Sequence, residues 1–416
     1  MEVNKKINTS IKLYPIFYAL SADSIFYIPI DTLFLTMVKG LNASQISAIT
    51  MIGLIVCIVS QRIIVNITKH IGNTNSVRLG SLMLLLSMTI LTFGNSFATM
   101  VVYKIINEFA NMFWSMTNIL LRNDLIEVNK ENEYFAIRNK GKVMYGEITM
   151  ITALLAGHLY NINNYIPMYI SIGIYLIVFI LSFKLYEKKI EQNKQNINES
   201  RKVKISSLIF LVILSNAMFY TIIKLGQSNS KLFMQYDFQK VLTVEMVAYY
   251  ITIIVFLSRI IRIIGNILFG KLYLKIKDKI SIVLTILECI AFLLLILGHF
   301  ITFSFALKVV VMSLGFFCIL AVRDSFRIYI EDTALKITKR EEHQKVMINI
   351  EVYRKLGQLI LSGAFTLILI KYDLIVIEII LLLLSIVEVI INKEMIKRII
   401  FNNNEFDEDN KIIKGQ

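Results

Sequence analysis

The chain has 416 residues, 56% of them hydrophobic, and a formal net charge of +14. This apolar fraction far exceeds what a soluble domain of that length needs for its core, so it excludes a soluble protein and predicts a multi-pass membrane protein. In such a protein the positive charge indicates basic loops facing the cytoplasm and anionic lipid, and we expect no nucleic-acid partner.

Twelve apolar runs are each long enough to cross about 30 Å of hydrocarbon as a helix. Six precede a polar segment, at approximately 14–38, 45–67, 77–93, 97–120, 142–160 and 165–185. Six follow it, at approximately 205–225, 244–269, 280–297, 303–322, 353–370 and 374–391. The alternation typical of membrane strands is absent. The predicted fold is therefore an all-α membrane protein of two six-helix bundles.

The polar middle of the chain separates the two predicted bundles. We assign 1–186 to the first bundle, 187–204 to a cytoplasmic linker, 205–393 to the second bundle and 394–416 to a polar cytoplasmic tail. The end of the tail, from Phe401, lacks periodicity and is predicted to be disordered.

Basic loop residues are distributed unequally between the two sides of this topology. With the N-terminus inside, the outer loops keep only Lys39, Lys231, Lys240 and Lys371. This asymmetry is the positive-inside signature, and an odd number of spans would destroy it. The first run lacks a small-residue cleavage site and is expected to remain as span 1. We therefore expect a cell-membrane protein with both termini cytoplasmic.

The sequence contains no arrangement that favours catalysis. Cys57, Cys289 and Cys318 fall within apolar runs and indicate neither a disulfide nor a metal cluster. A GxxxxGK[ST] motif is absent, as is any catalytic serine, cysteine or zinc arrangement. We expect no enzyme activity, no metal and no cofactor, with a proton gradient as the candidate energy source.

Two predicted cytoplasmic loops carry degenerate copies of a transporter signature. The loop after span 8 reads GKLYLKIKDK from Gly270, with Leu274 where an acid is expected. The loop after span 2 reads VNITKHIGNT from Val65 and also lacks the acid. With its two sets of six spans, the chain resembles the major facilitator superfamily of secondary transporters, whose signature there is roughly GxxxDRxGRR.

This resemblance implies that spans 1, 4, 7 and 10 line a central cavity and that the two bundles rock about it by alternating access. The segments 123–126 and 133–135 are similar to facilitator proteins of low-GC Gram-positive bacteria. Family members that exchange drugs for protons often carry glycines and a proline in span 5. Here Gly146 and Gly157 occur in that span without the proline.

Polar side chains recur at helical spacing on three of the spans that the resemblance places around the cavity. The candidate residues are Asp23, Tyr27 and Asp31 on span 1, Lys104, Asn107, Glu108 and Asn111 on span 4, Asn216, Tyr220 and Lys224 on span 7, Arg259 on span 8 and Lys308 on span 10. Arg259 is a candidate for binding an anionic substrate, and a role as latch or lipid anchor at the cytoplasmic end is the favoured alternative.

Asp23 and Glu108 lie near the bilayer midplane at 1.5 Å per residue. We hypothesise that they bind a proton or a cationic group of the substrate, with Lys104 as the competing internal cation. A static charge pair that stabilises span packing is an equally open interpretation.

Charged residues at the cytoplasmic ends of both halves suggest a gate of salt bridges that break as the transporter changes state. The candidates are Arg122, Asp124, Gly270, Lys271, Arg323, Asp324, Glu351 and Arg354. The alternative is that helix ends at the inner surface are basic in any membrane protein.

Five further residues stand apart from these stripes. Glu288 and Glu388 are expected near membrane edges, His158 and His299 are expected to be structural, and Trp114 is expected to pack beside the stripe of span 4.

The function that these features favour is secondary transport of a small molecule, with proton-coupled efflux as the first hypothesis. Uptake or facilitated passage of a small metabolite remains open. So does a non-transporting sensor or a subunit of a membrane assembly, because both signature loops lack their acid. The expected partners are the lipid bilayer and a small-molecule substrate, and the chain is expected to be a monomer.

Overall fold

The structure, a computed structural model, describes residues 2–23, 25–130, 133–187, 207–276, 279–337 and 343–414. These residues are almost entirely helical and include no strand, which confirms the predicted all-α class. The first half of the chain forms α1 (Glu2–Ser21), α2 (Asp31–Leu33), α3 (Ala43–Ile71), α4 (Asn73–Phe93), α5 (Phe97–Trp114), α6 (Met116–Glu127), α7 (Tyr134–Ile162) and α8 (Ile166–Ser182). The second half forms α9 (Ser207–Gln239), α10 (Val244–Ile276), α11 (Ile280–Phe300), α12 (Phe305–Lys336), α13 (His343–Ile368) and α14 (Leu374–Lys414).

Seven of the described helices are long and apolar enough to cross a membrane, judged by length and composition: α3, α4, α9, α10, α11, α12 and α14. The helices α1 and α5, which begin the predicted spans 1 and 4, are not among them, because charged side chains lower the apolar content of a helix. The multi-pass membrane character is confirmed, and the count of twelve spans stays a prediction.

Contacts between residues divide the chain into two compact units. The N-terminal unit comprises Met1–Ile197 with Phe238–Phe256, and the C-terminal unit comprises Asn198–Asp237 with Leu257–Gln416. The N-terminal unit thus includes the first part of α10, where Thr252 lies against Gly157 of α7. Of the predicted linker, only Glu187 belongs to the described residues.

Span 1, predicted as one run, is interrupted in the middle. Helix α1 ends at Ser21, and regular structure resumes only with a 3-10 turn at Ile28–Ile30, followed by α2 and a π-helical turn at Phe34–Val38. Pro29 accounts for the break, because proline has no N–H to donate to the carbonyl four residues earlier and its ring clashes with it. That carbonyl, on Ile25, instead accepts a hydrogen bond from Thr152 Oγ1 at 3.1 Å.

Span 4 is also divided, at Ser115 between α5 and α6. Ser115 Oγ donates to the Met112 carbonyl at 2.6 Å, a local side-chain bond of the kind that bends helices. Trp114 Nε1 donates to Ser21 Oγ at 2.7 Å, so the two breaks lie side by side in the N-terminal unit.

The C-terminal unit is held together by close helix contacts. Helix α11 packs against both α12 and α14. A Cβ added at Gly315 of α12 would lie 2.6 Å from the Ala291 carbonyl of α11, so only glycine permits this approach.

Two helices run further than the sequence predicts. Helix α9 continues past the expected end of span 7 at Leu225, through a polar stretch to Gln239. Helix α14 continues to Lys414, so the prediction of a disordered tail from Phe401 is wrong. Just before this tail, Glu394 and Arg398 lie four residues apart and pair at 2.8 Å, which favours a helix there.

Candidate functional site

The break in span 1 leaves Asp23 outside any helix, two residues past the end of α1. Its side chain is exposed, and Tyr145 of α7 donates its hydroxyl to Asp23 Oδ2 at 2.6 Å. The last carbonyls of a helix carry partial negative charge and lack intrahelical partners. A carboxylate placed beside them forms a site that attracts a proton or another cation.

On α5, Lys104 and Glu108 form an ion pair, with Lys104 Nζ 2.7 Å from Glu108 Oε1. Their side chains keep 23% and 18% of their surface open. Gly53 of α3 makes room for the pair, because a Cβ there would lie 2.4 Å from Lys104 Cε. Of Asp23 and Glu108, Lys104 therefore pairs with Glu108 in this structure.

The other predicted cavity residues of the N-terminal unit lie on the same two spans, 1 and 4. Tyr27 is buried and shares a side-chain hydrogen bond with Tyr103 of α5. Asp31 Oδ1 accepts the Thr32 amide at 2.6 Å. Further along span 4, Asn107 is half-buried and Asn111 is exposed.

In the C-terminal unit, two predicted cavity residues contact one predicted gate residue, Arg354. Arg354 Nε donates to Asn216 Oδ1, and the guanidinium carbon lies 4.8 Å from the centre of the Tyr220 ring. Arg354 Nη1 also pairs with Glu351 Oε2 at 3.2 Å. Arg354 is 2% exposed, so α9 and α13 are joined by a buried, hydrogen-bonded cation. Lys224, one turn beyond Tyr220, is exposed.

Lys308 belongs to a buried charge cluster at the start of α12. Its Nζ lies 2.9 Å from Asp237 Oδ2, and His299 Nδ1 lies 3.2 Å from Asp237 Oδ1. The His299 ring stacks on Phe233 at 5.2 Å between centroids. Asp237, only 1% exposed, was missed because it lies in the polar stretch taken to follow span 7. The histidine expected to stand alone therefore has an acidic partner.

The other predicted gate residues do not form one cluster in the described part of the chain. Arg323 Nη1 donates to Gln227 Oε1 at 2.7 Å within the C-terminal unit. Arg259 is half-buried on α10, and Arg122 and Lys271 are exposed. The surroundings of Gly270 and Asp324 lie outside what the structure describes.

Asp124 lies beyond the predicted end of span 4, where the segment of α1 before the membrane covers it. Asp124 is 1% exposed, so its carboxyl is almost fully enclosed. Burial raises the pKa of Asp124 to about 7, with the Ser10 hydroxyl opposing this shift and the Glu187 carboxylate adding to it. Glu187 itself accepts hydrogen bonds from Asn73 at 2.8 Å and Asn123 at 2.7 Å.

Two acids that the sequence places near membrane edges are enclosed by other helices, and their depth in the bilayer stays a prediction. Glu288 of α11 and Glu388 of α14 are both 0% exposed. Each sits on the side of its helix that faces the other helices of the C-terminal unit. Sequence periodicity had no means of finding them, because each is a single acid within a strongly apolar run.

Among the described residues, no group of three or more histidine, cysteine, aspartate or glutamate side chains is placed to hold a metal ion.

Comparison with known proteins gives the fold a family. A family model described as Major Facilitator Superfamily matches residues 16–347. The solved structure of the nucleoside transporter NupG superposes with a TM-score of 0.69 at 12% identity, covering 95% of this chain and 100% of that one. A bacterial homologue of the iron transporter ferroportin, in its inward-facing state, gives 0.64 at 14% identity, covering 95% and 98%. No curated protein matches the sequence.

Proposed function

The chain belongs to the Major Facilitator Superfamily, and on that premise we propose that this secondary transporter exports a small molecule from the cell in exchange for protons. The family makes it a transporter rather than an enzyme. In the proposed cycle, its two bundles alternate between access from the cytoplasm and access from outside. The cargo that we favour carries a cationic group.

The observation that carries the proposal is the exposed carboxylate of Asp23 at the break in span 1. An ionisable group within the membrane requires a partner or a wet cavity, so an exposed one marks a path for an ion or solute. The Tyr145 hydroxyl orients this carboxylate, and the neighbouring helix end favours positive charge. A proton and a cationic solute can therefore compete for Asp23.

The Lys104–Glu108 pair gives the same unit a second carboxylate with an internal counterion. When Lys104 holds Glu108, no external cation is needed there. If Lys104 turned to another acid, Glu108 would become available to a proton or solute. We propose that this exchange of partners accompanies transport.

We place the protein in the cell membrane with both termini in the cytoplasm. A surface cavity of about 480 Å³ in the C-terminal unit supports this orientation. It is lined by three lysines, Lys279, Lys393 and Lys397, beside three aliphatic side chains. Lysines placed there are suited to the anionic inner leaflet.

Arg354 and Arg323 are the residues that we favour for the cytoplasmic gate.

Liposomes that contain the purified protein and the pH dye pyranine test the function. A panel of cations, sugars, amino acids and peptides is added outside, and the internal pH is followed. We expect one cationic class to drive proton movement, and we expect Asp23→Asn to abolish it. The exposed Asp373 provides a control, Asp373→Asn, that should leave the signal intact. Full dependence on the pH gradient in Asp23→Asn would contradict the proton role.

A second candidate is uptake or facilitated passage of a small neutral metabolite. The phenols of Tyr27 and Tyr103 and the amides of Asn107 and Asn111 support it, since such groups suit an uncharged polar solute. In the same liposomes, flux of a labelled metabolite without any change of internal pH would favour this candidate over efflux.

A further inference from the structure

The C-terminal unit contains a pair of acids that the transport proposal does not use. Glu288 on α11 and Glu388 on α14 are both 0% exposed, and they lie close enough for their charges to interact. Helices α11 and α14 pack directly against each other. Two buried carboxyls therefore lie on neighbouring helices inside an apolar bundle.

Hydrogen bonds satisfy only part of this pair. Glu388 Oε1 accepts from Ser215 Oγ at 3.0 Å and from Asn392 Nδ2 at 2.6 Å. Glu388 Oε2 and both oxygens of Glu288 have no hydrogen-bond partner in the described part of the chain. Glu288 thus projects into the bundle without a hydrogen-bond donor among the described residues.

Counterions are also missing from the described surroundings. No lysine, arginine or histidine that the structure describes lies within ion-pair distance of either carboxyl. On α12, which packs against α11, Lys308 pairs with Asp237 and Arg323 bonds to Gln227. The charged and titratable groups on the adjoining stretches of α11 and α14 are Cys289, Glu378, which accepts from Ser230 at 3.1 Å, and Lys393, which is exposed.

An ionised carboxylate without a partner is strongly disfavoured in such a place, and two adjacent ones repel each other as well. At least one of them must carry a proton for the bundle to pack as it does. We propose that Glu288 and Glu388, with Ser215 and Asn392, form a proton-binding site within the C-terminal unit.

The position of Ser215 connects this site with Arg354. Its neighbour on α9, Asn216, accepts the hydrogen bond from Arg354. One turn of α9 therefore contacts the carboxyl pair with one residue and the buried guanidinium with the next. The site goes beyond the transport proposal, because it predicts a bound proton whatever solute is moved.

Infrared spectra of the full-length protein in lipid nanodiscs distinguish a protonated carboxyl from a carboxylate by its C=O stretch. At pH 7 we expect the double variant Glu288→Gln/Glu388→Gln to lose the intensity of at least one carboxylic acid. The control Glu394→Gln removes an exposed carboxylate of α14 that pairs with Arg398, and it should leave the band unchanged. The lost band should be one that shifts in D2O.

Equal intensity in the double variant and the wild type would overturn the proposal, because both carboxyls would then be ionised. A band that never shifts in D2O would overturn it too, since a permanently locked proton is not a bound ligand.

A second measurement uses only the wild type and holds even if the double variant fails to fold. Dicyclohexylcarbodiimide reacts with protonated carboxyls in apolar surroundings, and mass spectrometry locates the adduct. We expect labelling of Glu288 or Glu388 at pH 7. Glu378, equally buried on α14, is the internal reference. Labelling of Glu378 with neither member of the pair labelled would contradict the site.

Discussion

In the N-terminal unit, the side chains of Lys104 and Glu108 keep 23% and 18% of their surface open, and Asp23 is exposed. In the C-terminal unit, Lys308 and Asp237 keep only 9% and 1%. The charge pair of the C-terminal unit is thus enclosed, whereas the charge pair of the N-terminal unit and Asp23 are within reach of a solute. This difference is why we assign cargo binding to the N-terminal unit.

Removing Lys308 is expected to have the largest effect on stability. Lys308→Met removes the lysine partner of Asp237, a buried carboxylate, which should lower the free energy of unfolding by about 3–5 kcal/mol. Lys104→Met, in the more open pair, should lower it by only about 1 kcal/mol. Thermal unfolding in nanodiscs measures both variants. Equal losses of stability would mean that the two ion pairs are equally buried.

In contrast to the exposed charges of the N-terminal unit, its helices α7 and α10 pack closely at Gly157. A Cβ at Gly157 would lie 2.2 Å from Thr252 Oγ1, so Gly157→Ala should destabilise the protein by about 1–3 kcal/mol. Gly146, on the same helix, has nothing within 4 Å of its added Cβ. Gly146→Ala is therefore the matched control and should be neutral or slightly stabilising. If both variants unfold at the wild-type temperature, α7 and α10 do not pack as described.

The third prediction concerns Asp124, the buried acid of the N-terminal unit at its cytoplasmic end. Its pKa is about 7 in the folded protein, against 3.8 ordinarily. The folded state therefore binds the proton more tightly, and this group's contribution to stability falls as pH rises from about 4 to 7. The slope is at most about 1.4 kcal/mol per pH unit.

Melting temperatures of Asp124→Asn and the wild type between pH 5 and 8 measure this effect. The melting temperature of the variant should rise increasingly above that of the wild type up to about pH 7. Above that pH the difference between the two melting temperatures should stay constant. Glu133→Gln removes an exposed acid paired with Lys130, and its gap should not change with pH. A constant gap for Asp124→Asn would mean that its carboxyl is not buried in solution.

Apolar periodicity alone predicts much of the fold, because lipid requires long apolar helices. The predicted run 280–297 coincides with α11, Ile280–Phe300, and the run 77–93 with most of α4, Asn73–Phe93. The break at Pro29 was missed because its stability depends on Thr152, more than a hundred residues away in the chain. Local sequence shows the proline but not the hydroxyl that satisfies the freed carbonyl.

Ion pairs and hydrogen bonds of the charged residues could be predicted when both residues lie on one helix. They could not be predicted when the residues lie on different helices. Lys104 and Glu108 are four residues apart, so helical spacing alone suggests their pairing. The partners of Lys308 come from two other helices, and Glu388 meets Ser215 across 173 positions. Such pairings depend on how helices pack, which residue spacing does not encode.

Binding of the transported cation or proton by Asp23 can be followed through the fluorescence of Trp114. This side chain, the only tryptophan of the chain, is bonded to Ser21, two residues from Asp23. The protein in nanodiscs is titrated with cations, sugars, amino acids and peptides at two pH values. We predict a saturable change for one cationic class that weakens at lower pH, is lost in Asp23→Asn and is kept in Asp373→Asn. Unaltered binding in Asp23→Asn, or saturable binding of neutral solutes alone, would contradict the account.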